Sequence, residues 1–369
     1  MHIANAAPSA TMPTQLNQSS KAKGEHGAQP DLFGQRVAER RVTVFRQAAS
    51  AVLDEGGGGY GRDADTAKRL WKVTNRLLAS GMTRSVRVPP ADWSDRVDVL
   101  AQQFPNLGTL ITSVIRPHVA LVARGVDHRF APILLVGAPG VGKTYFANAL
   151  AEVMGVGSPL VVTMSSESNG STLAGSSTFW SNSAPGRLFE GLAWGQSLEM
   201  AIANPLVVLD EVDKVQSRVM QFDPLGALYT LLEVETARQF VDQSIPDLRI
   251  DASRCRIVAT ANDVSEIAEP LLSRMFVYQV RQPSVDELSE MIRGMYLRLV
   301  QKFELVMSDL PQDVIEAALL MSPREAKMRL ECAIACAVVD GRNTIKLSDW
   351  PSIFASPSRI RRRPIGFTV

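Results

Sequence analysis

Five short apolar runs punctuate the middle of the chain: ILLVG at 133–137, PLVVTM at 159–164, PLVVLD at 205–210, CRIVATAN at 255–262 and MFVYQV at 275–280. Runs of this length, bounded by Gly, Pro or polar residues, fit strands buried on both faces. Amphipathic helical stretches lie between most of them, at 142–154 and 186–203. Alternation of this kind predicts an α/β domain whose parallel sheet is sandwiched by helices. After Pro283 the strands stop. Val285, Leu288, Ile292, Met295 and Leu299 recur with a period near 3.6, and helices at about 312–320 and 323–339 follow. The α/β domain, placed at 106–283, therefore leads into a small all-α domain at 284–355.

Upstream the pattern weakens. Residues 1–35 are rich in Ala, Ser, Gln, Pro and Gly with few large apolar residues, so they are expected to form a disordered tail. The stretch 37–53 reads as a helix broken by GGGGYG at 56–61, and 65–78 as a second with Leu70, Val73 and Leu77 on one face. Pro89 and Pro90 precede helical segments at about 93–104 and 108–123. Residues 36–105 are thus expected to be a helical N-terminal region. Residues 356–369 are read as a basic tail, in which SRIRRRP at 358–364 is a solvated segment or a contact for an acidic partner, nucleic acid or a protease subunit. No internal repeat of solenoid length is present.

Composition adds boundaries. With 369 residues, 46% apolar and 21% charged, the chain is of ordinary globular type with room for two or three domains. A net charge of +1 advertises neither nucleic acid nor a membrane surface. No run approaches the length of a spanning helix or a secretory core, and three cysteines suit a reducing compartment, so a cytoplasmic location is expected. Cys332 and Cys336, four apart in a helical pattern, read as paired metal ligands or as small core residues; with no His or further Cys beside them, the core reading is preferred. The four histidines, at 2, 26, 118 and 128, form no cluster in sequence, and no metal is expected beyond one carried by a nucleotide.

The chemistry begins at GAPGVGKT, 137–144, which matches G-x-x-x-x-G-K-[ST] between a strand and a helix. Gly137, Gly140 and Gly142 let backbone N–H groups close around phosphates, and the helix N-terminus adds partial positive charge. Lys143 reaches the β- and γ-phosphates and the Thr144 hydroxyl ligates Mg²⁺, with Val141 and Tyr145 completing the nucleotide-binding set. LVVLDEVDK, 206–214, ends a buried strand in paired acids, at the edge where an open α/β sheet binds its ligand. Asp210 is the second Mg²⁺ residue and Glu211 the candidate base for the attacking water. Taken alone, such a pair also serves as a strand cap; beside the phosphate loop it marks a P-loop nucleoside triphosphate hydrolase. No N-K-x-D run reads guanine, so ATP is the expected nucleotide.

From about 110 to 345 the chain resembles the AAA+ module of Lon-type ATPases. LDEVDK, LLEVETARQFVDQ at 231–243, IVATAND at 257–263 and PLLSRM at 270–275 come in that family's order and near its spacing. The resemblance implies that Asn262 is the sensor beside water and γ-phosphate, and that Arg274 is an arginine finger entering the neighbouring subunit. It implies that Arg324, in SPREAKMRLE at 322–331, is the second sensor, although the Ser-Pro before it departs from the expected small-residue lead-in. The helical domain at 284–355 is then a lid, and the assembly a homo-oligomeric ring, expected to be a hexamer. Each residue has a plainer reading, as a strand end, a surface charge or a first-turn arginine.

The resemblance also accounts for TFWSNSAPGR at 178–187, where Phe179 and Trp180 stand in a stretch built like a loop. In Lon-like rings the segment before P-G-R projects into the central pore and grips polypeptide, which places Trp180 at the gripping position. Ser181 stands where a second apolar residue is usual. The alternative is that both aromatics plug their own core. The family's Ser-Lys protease domain is not expected here, because about forty residues follow Arg324 and no nucleophile motif replaces it. The leading expectation is an ATPase that unfolds protein substrates; the rivals are a nucleic-acid motor or loader on the same module, and a nucleotide-gated scaffold.

Overall fold

The computed structural model describes residues 40–47, 64–166, 171–178, 182–195, 199–215 and 225–350. In chain order the strands are β1 (Arg41–Thr43), β2 (Phe45–Gln47), β3 (Thr83–Ser85), β4 (Ile133–Val136), β5 (Leu160–Thr163), β6 (Leu206–Asp210), β7 (Leu248–Ile250), β8 (Arg256–Ala261) and β9 (Phe276–Gln279). The five apolar runs become one parallel sheet of order β5-β6-β8-β4-β9, with Leu134 opposite Ala259 and Val208 opposite Val258.

The two-residue period divides the sheet between two cores. Leu134, Val207, Leu209, Ile257 and Ala259 face one layer, with Phe189, Leu173 and Phe240. Ile133, Leu135, Leu206, Val208 and Val258 face the other, with Phe104, Phe146 and Leu150. Burial of both faces explains why these strands read as continuous apolar runs. The helix Lys143–Val153 packs on the second face through Phe146, Ala147 and Leu150, whose rings and methyls repeat at three and four residues.

The helical domain has its own core. Helices Val285–Lys302, Gln312–Leu319 and Pro323–Val339 enclose Ile292, Tyr296, Val314, Ile315, Leu330 and Ile334. Ser284 starts the first of them with a capping box: its side chain accepts from the Glu287 backbone while Glu287 returns to the Ser284 N–H.

Three sequence expectations are corrected. The described part of 37–53 is extended rather than helical: β1 pairs antiparallel with β3, and β2 with β7. Val42, Thr43 and Val44 are β-branched, and Phe45 is buried edge-to-face on Phe189 at 5.7 Å, so strand pairing overrides the helical spacing. This segment and the helix Ala64–Ser80, through Leu70 and Leu77, share the core of the sheet. The helix expected over 186–203 spans only Arg187–Trp194, because Gly195 adopts φ +79° with its α-hydrogen face against the Glu199 carbonyl. Cys336 is exposed and Cys332 half-buried, so neither is the small core residue expected, whereas Cys255 is buried and its thiol pushed up to about 12 by desolvation.

Candidate nucleotide site

The phosphate loop hangs from the C-terminal end of β4. Gly137 closes the strand by donating to the Ala261 carbonyl at 3.2 Å, and a Cβ there would lie 2.6 Å from the Val280 carbonyl oxygen. Gly140 and Gly142 follow at φ +84° and +96°, a region L side chains rarely adopt, and Gly142 leads directly into the helix at Lys143.

Around this loop the candidate residues converge. Lys143 Nζ donates to the carbonyls of Gly137 (2.6 Å) and Ala138 (3.1 Å) and to Asn262 Oδ1 (3.0 Å). Burial pulls the Lys143 ammonium below its ordinary value, and the nearby carboxylates of Asp213 and Asp210 oppose that. Thr144 Oγ1 and Thr260 Oγ1 both donate to Asp210 Oδ1, at 2.9 and 2.6 Å. Thr144 and Asp210 thus present a hydroxyl and a carboxylate side by side, an oxygen donor set that fits Mg²⁺.

Glu211 occupies the left-handed region at φ +60°, uncommon outside glycine, with its N–H donating to Thr260 Oγ1 at 3.0 Å. Its carboxylate pairs with Lys214. That hydrogen bond, and then one from Ser165, hold its pKa below the ordinary glutamate value. Asn262 directly follows β8, and its backbone N–H, like that of Asp263, donates to Asp213 Oδ2.

These groups face one cavity of about 480 Å³ between the sheet and the helical domain. Gly140, Gly142, Lys143, Thr144, Tyr145, Asp210, Glu211 and Asn262 line its floor; Met291, Met295, Arg298, Arg324 and Lys327 line its roof, and Phe104 one wall. Gly137 anchors the loop just outside and Val141 is buried beneath it. Arg274 stands elsewhere, following the helix Glu269–Leu272: its Nε donates to Glu233 Oε1 at 2.6 Å and its Nη1 to the Pro270 carbonyl at 2.5 Å. Phe179 and Trp180 lie outside the described residues, as do the 1–35 and 356–369 tails and GGGGYG.

Several site residues were missed in sequence. Thr260 and Asp213 carried a signal, one as the lone hydroxyl within IVATA and the other as the third acid of LDEVDK. Phe104, Met291, Met295, Arg298 and Lys327 carried none, because their role depends on how the helical domain closes over the loop. His118 and His128, ten positions apart, stack their rings at 4.6 Å with one ring nitrogen 2.7 Å from the other, a pairing the sequence did not signal.

A glycine-rich strand-to-helix loop, an acidic pair at the next strand end and a helical lid define a P-loop nucleotide-binding protein. The family model described as "ATPase family associated with various cellular activities (AAA)" matches residues 133–282, the stretch that carries the parallel sheet and the phosphate loop. The chain is similar to Lon protease of Helicobacter pylori, 33% identical over 197 residues, covering 53% of this chain and 21% of that one. It is also similar to the peroxisomal Lon protease homolog 2 of Zea mays (29%; 55% and 22% covered) and to the mitochondrial homolog of Yarrowia lipolytica (34%; 42% and 13% covered). The chain spans about a fifth of the length of the first relatives it matches. Among solved structures a Thermotoga maritima RuvB mutant aligns at a TM-score of 0.44 and 17% identity, over 66% of this chain and 67% of that one.

Proposed function

We propose that this chain hydrolyses ATP to ADP and phosphate, and that a homo-oligomeric ring of it, a hexamer by resemblance, uses the cycle to remodel or unfold protein substrates. The observation that carries the hydrolase is the meeting of Lys143, Thr144, Asp210, Glu211 and Asn262 around one cavity beneath a cationic lid. In this reading Lys143 exchanges its carbonyl partners for phosphate oxygens. Thr144 and Asp210 hold Mg²⁺, which when bound neutralises phosphate charge. Glu211 orients and deprotonates the attacking water, Asn262 fixes its position, and Arg324 reaches the phosphates from the lid. Phe104, Met291 and Met295 offer an apolar wall for the flat base of ATP.

Arg274 acts in the neighbouring subunit. Its separation from its own cavity supports that role, since a finger for its own site would have to cross the module. The described flanks of TFWSNSAPGR meet: the Ser176 N–H donates to the Ala184 carbonyl at 3.0 Å. Asp242, buried, accepts from the Gly186 N–H at 2.8 Å and ties down the residue that follows this stretch's proline. Phe179 and Trp180 then contact polypeptide. Among the described residues no helix is long and apolar enough to cross a membrane. A cytoplasmic location is proposed from the three free cysteines.

Steady-state ATP turnover across a range of protein concentrations tests this, with Glu211→Gln as the blank. Turnover above the blank, with a per-subunit rate that climbs as subunits assemble, is the expected result. A rate no higher than the blank overturns the hydrolase; a rate independent of concentration in a protein that sediments as a monomer overturns the ring.

A further inference from the structure

Arg298 lies on the lid helix Val285–Lys302, seven residues after Met291 and three after Met295, on the stripe that lines the cavity. It is half-buried, yet among the described residues no acceptor bonds its guanidinium and no carboxylate pairs with it. Its neighbours differ: Arg293 bonds Gln312, Arg281 bonds Glu287, and Arg342 bonds Asp349. Its guanidinium lines the cavity with its donors uncommitted, so an anion entering there meets a fork that need give up no partner within the protein. The carboxylates of the cavity are committed elsewhere, Asp210 to Thr144 and Thr260, Glu211 to Lys214. The guanidinium also lies over Gly294, where a Cβ would stand 3.3 Å from Nη1, so this mid-helix glycine leaves room for it. Arg324 and Lys327 reach the same roof from the Pro323–Val339 helix.

We propose that Arg298 is a phosphate ligand of the nucleotide, acting with Arg324 from the adjoining lid helix, and that the pair makes the closed lid prefer a nucleoside triphosphate to a diphosphate. This rests on the reading of the cavity as the ATP site. A guanidinium presents a planar fork of donors that matches two oxygens of one phosphate group. The triphosphate brings one more such group, with its negative charge, into a cavity where four cationic side chains face two carboxylates. Two arginines on two helices of one rigid domain then convert that extra charge into lid closure.

The test is equilibrium competition of a fluorescent adenine nucleotide by ATP and by ADP, with Mg²⁺, on full-length protein carrying Glu211→Gln to stop turnover. Arg298→Ala is expected to weaken ATP about ten- to a hundredfold and ADP by no more than about threefold, as for loss of one charge-assisted pair. Arg298→Lys, which keeps the charge without the fork, is expected to restore part of the difference. Unchanged ATP affinity, or equal loss for both nucleotides, overturns the proposal. Arg324→Ala separates the two levels of the argument. If it weakens ATP while Arg298→Ala does not, the cavity still binds ATP and only the role of Arg298 falls. If ATP fails to compete before any lid residue is changed, the reading of the cavity falls. Should Arg298→Ala lower the melting temperature, Arg298→Gln, which retains the side-chain length, carries the same comparison.

Discussion

Thr144 and Asp210 stand 66 positions apart and meet in a hydrogen bond of 2.9 Å, from Thr144 Oγ1 to Asp210 Oδ1. The contact exists because β6 lies one strand away from the strand that launches the phosphate loop, with β8 between them; Thr260 on β8 donates to the same oxygen. Asp210→Asn keeps the volume but removes the charge that would hold Mg²⁺ in the proposed reading. It is expected to lower ATP turnover by at least ~10²-fold with the melting temperature little changed, since the amide oxygen still accepts from both threonines. Turnover against Mg²⁺ concentration, with circular dichroism melts alongside, checks this.

Glu211 is held below its ordinary pKa first by the hydrogen bond from Lys214 and then by that from Ser165. As the proposed base Glu211 must be ionised to work, and the lowered value would keep it competent further into acid. Lys214→Ala removes the stabiliser of the charged form, and the pKa of Glu211 rises towards the ordinary value. The acid limb of the pH–turnover profile is therefore expected to move to higher pH, with turnover near neutrality retained. A limb that stays in place, or moves to lower pH, contradicts the assignment of Glu211 as base.

Gly137 has no room for a side chain: the nearest atoms facing a Cβ, led by the Val280 carbonyl oxygen at 2.6 Å and the Val280 Cβ at 3.3 Å, belong to the chain leaving β9. Gly137→Ala must push β9 and the phosphate loop apart. A cost of about 1–3 kcal/mol is expected, from overpacking of a fixed backbone. Thermal denaturation measures that loss, and ATP titration should show weakened binding at temperatures where the variant is still folded.

Much of this arrangement was legible in the sequence, for reasons that can be stated residue by residue. The five strands of the sheet were readable because burial on both faces leaves unbroken runs such as LVVL at 206–209. The phosphate loop and acidic pair were readable because their chemistry tolerates few residue types at fixed spacing. Val44 and Phe45 were not, since strand β2 exists only by pairing with β7, some two hundred positions away in the chain, and local spacing cannot report a distant partner. Arg298 was hidden for a related reason: one cationic residue on an amphipathic helix looks like any solvated charge until the lid is seen to fold over the loop. Asp213 lay in plain view in LDEVDK, yet its task, holding the Asn262 and Asp263 N–H groups, requires the register of β6 against β8.

Arg274 carries the claim that neighbouring subunits complete each site. Arg274→Ala is expected to abolish most turnover while leaving ATP affinity within about twofold, because the residue lies outside its own cavity and, as the proposed finger, would act on transition-state charge. Mixing it with Glu211→Gln subunits sharpens the test. Each variant is nearly inactive alone, but a mixed ring contains some interfaces that pair an intact Glu211 with an intact Arg274. Recovery of turnover on mixing is expected; a mixture no more active than its components contradicts action between subunits.

The most direct test of the account is ATP turnover by purified protein in the presence of an unfolded polypeptide such as casein, compared with single- or double-stranded DNA. Stimulation by polypeptide alone, lost in Trp180→Ala while the unstimulated rate persists, is the result predicted. Stimulation by DNA alone, with casein inert, would contradict it and identify the module as a nucleic-acid motor.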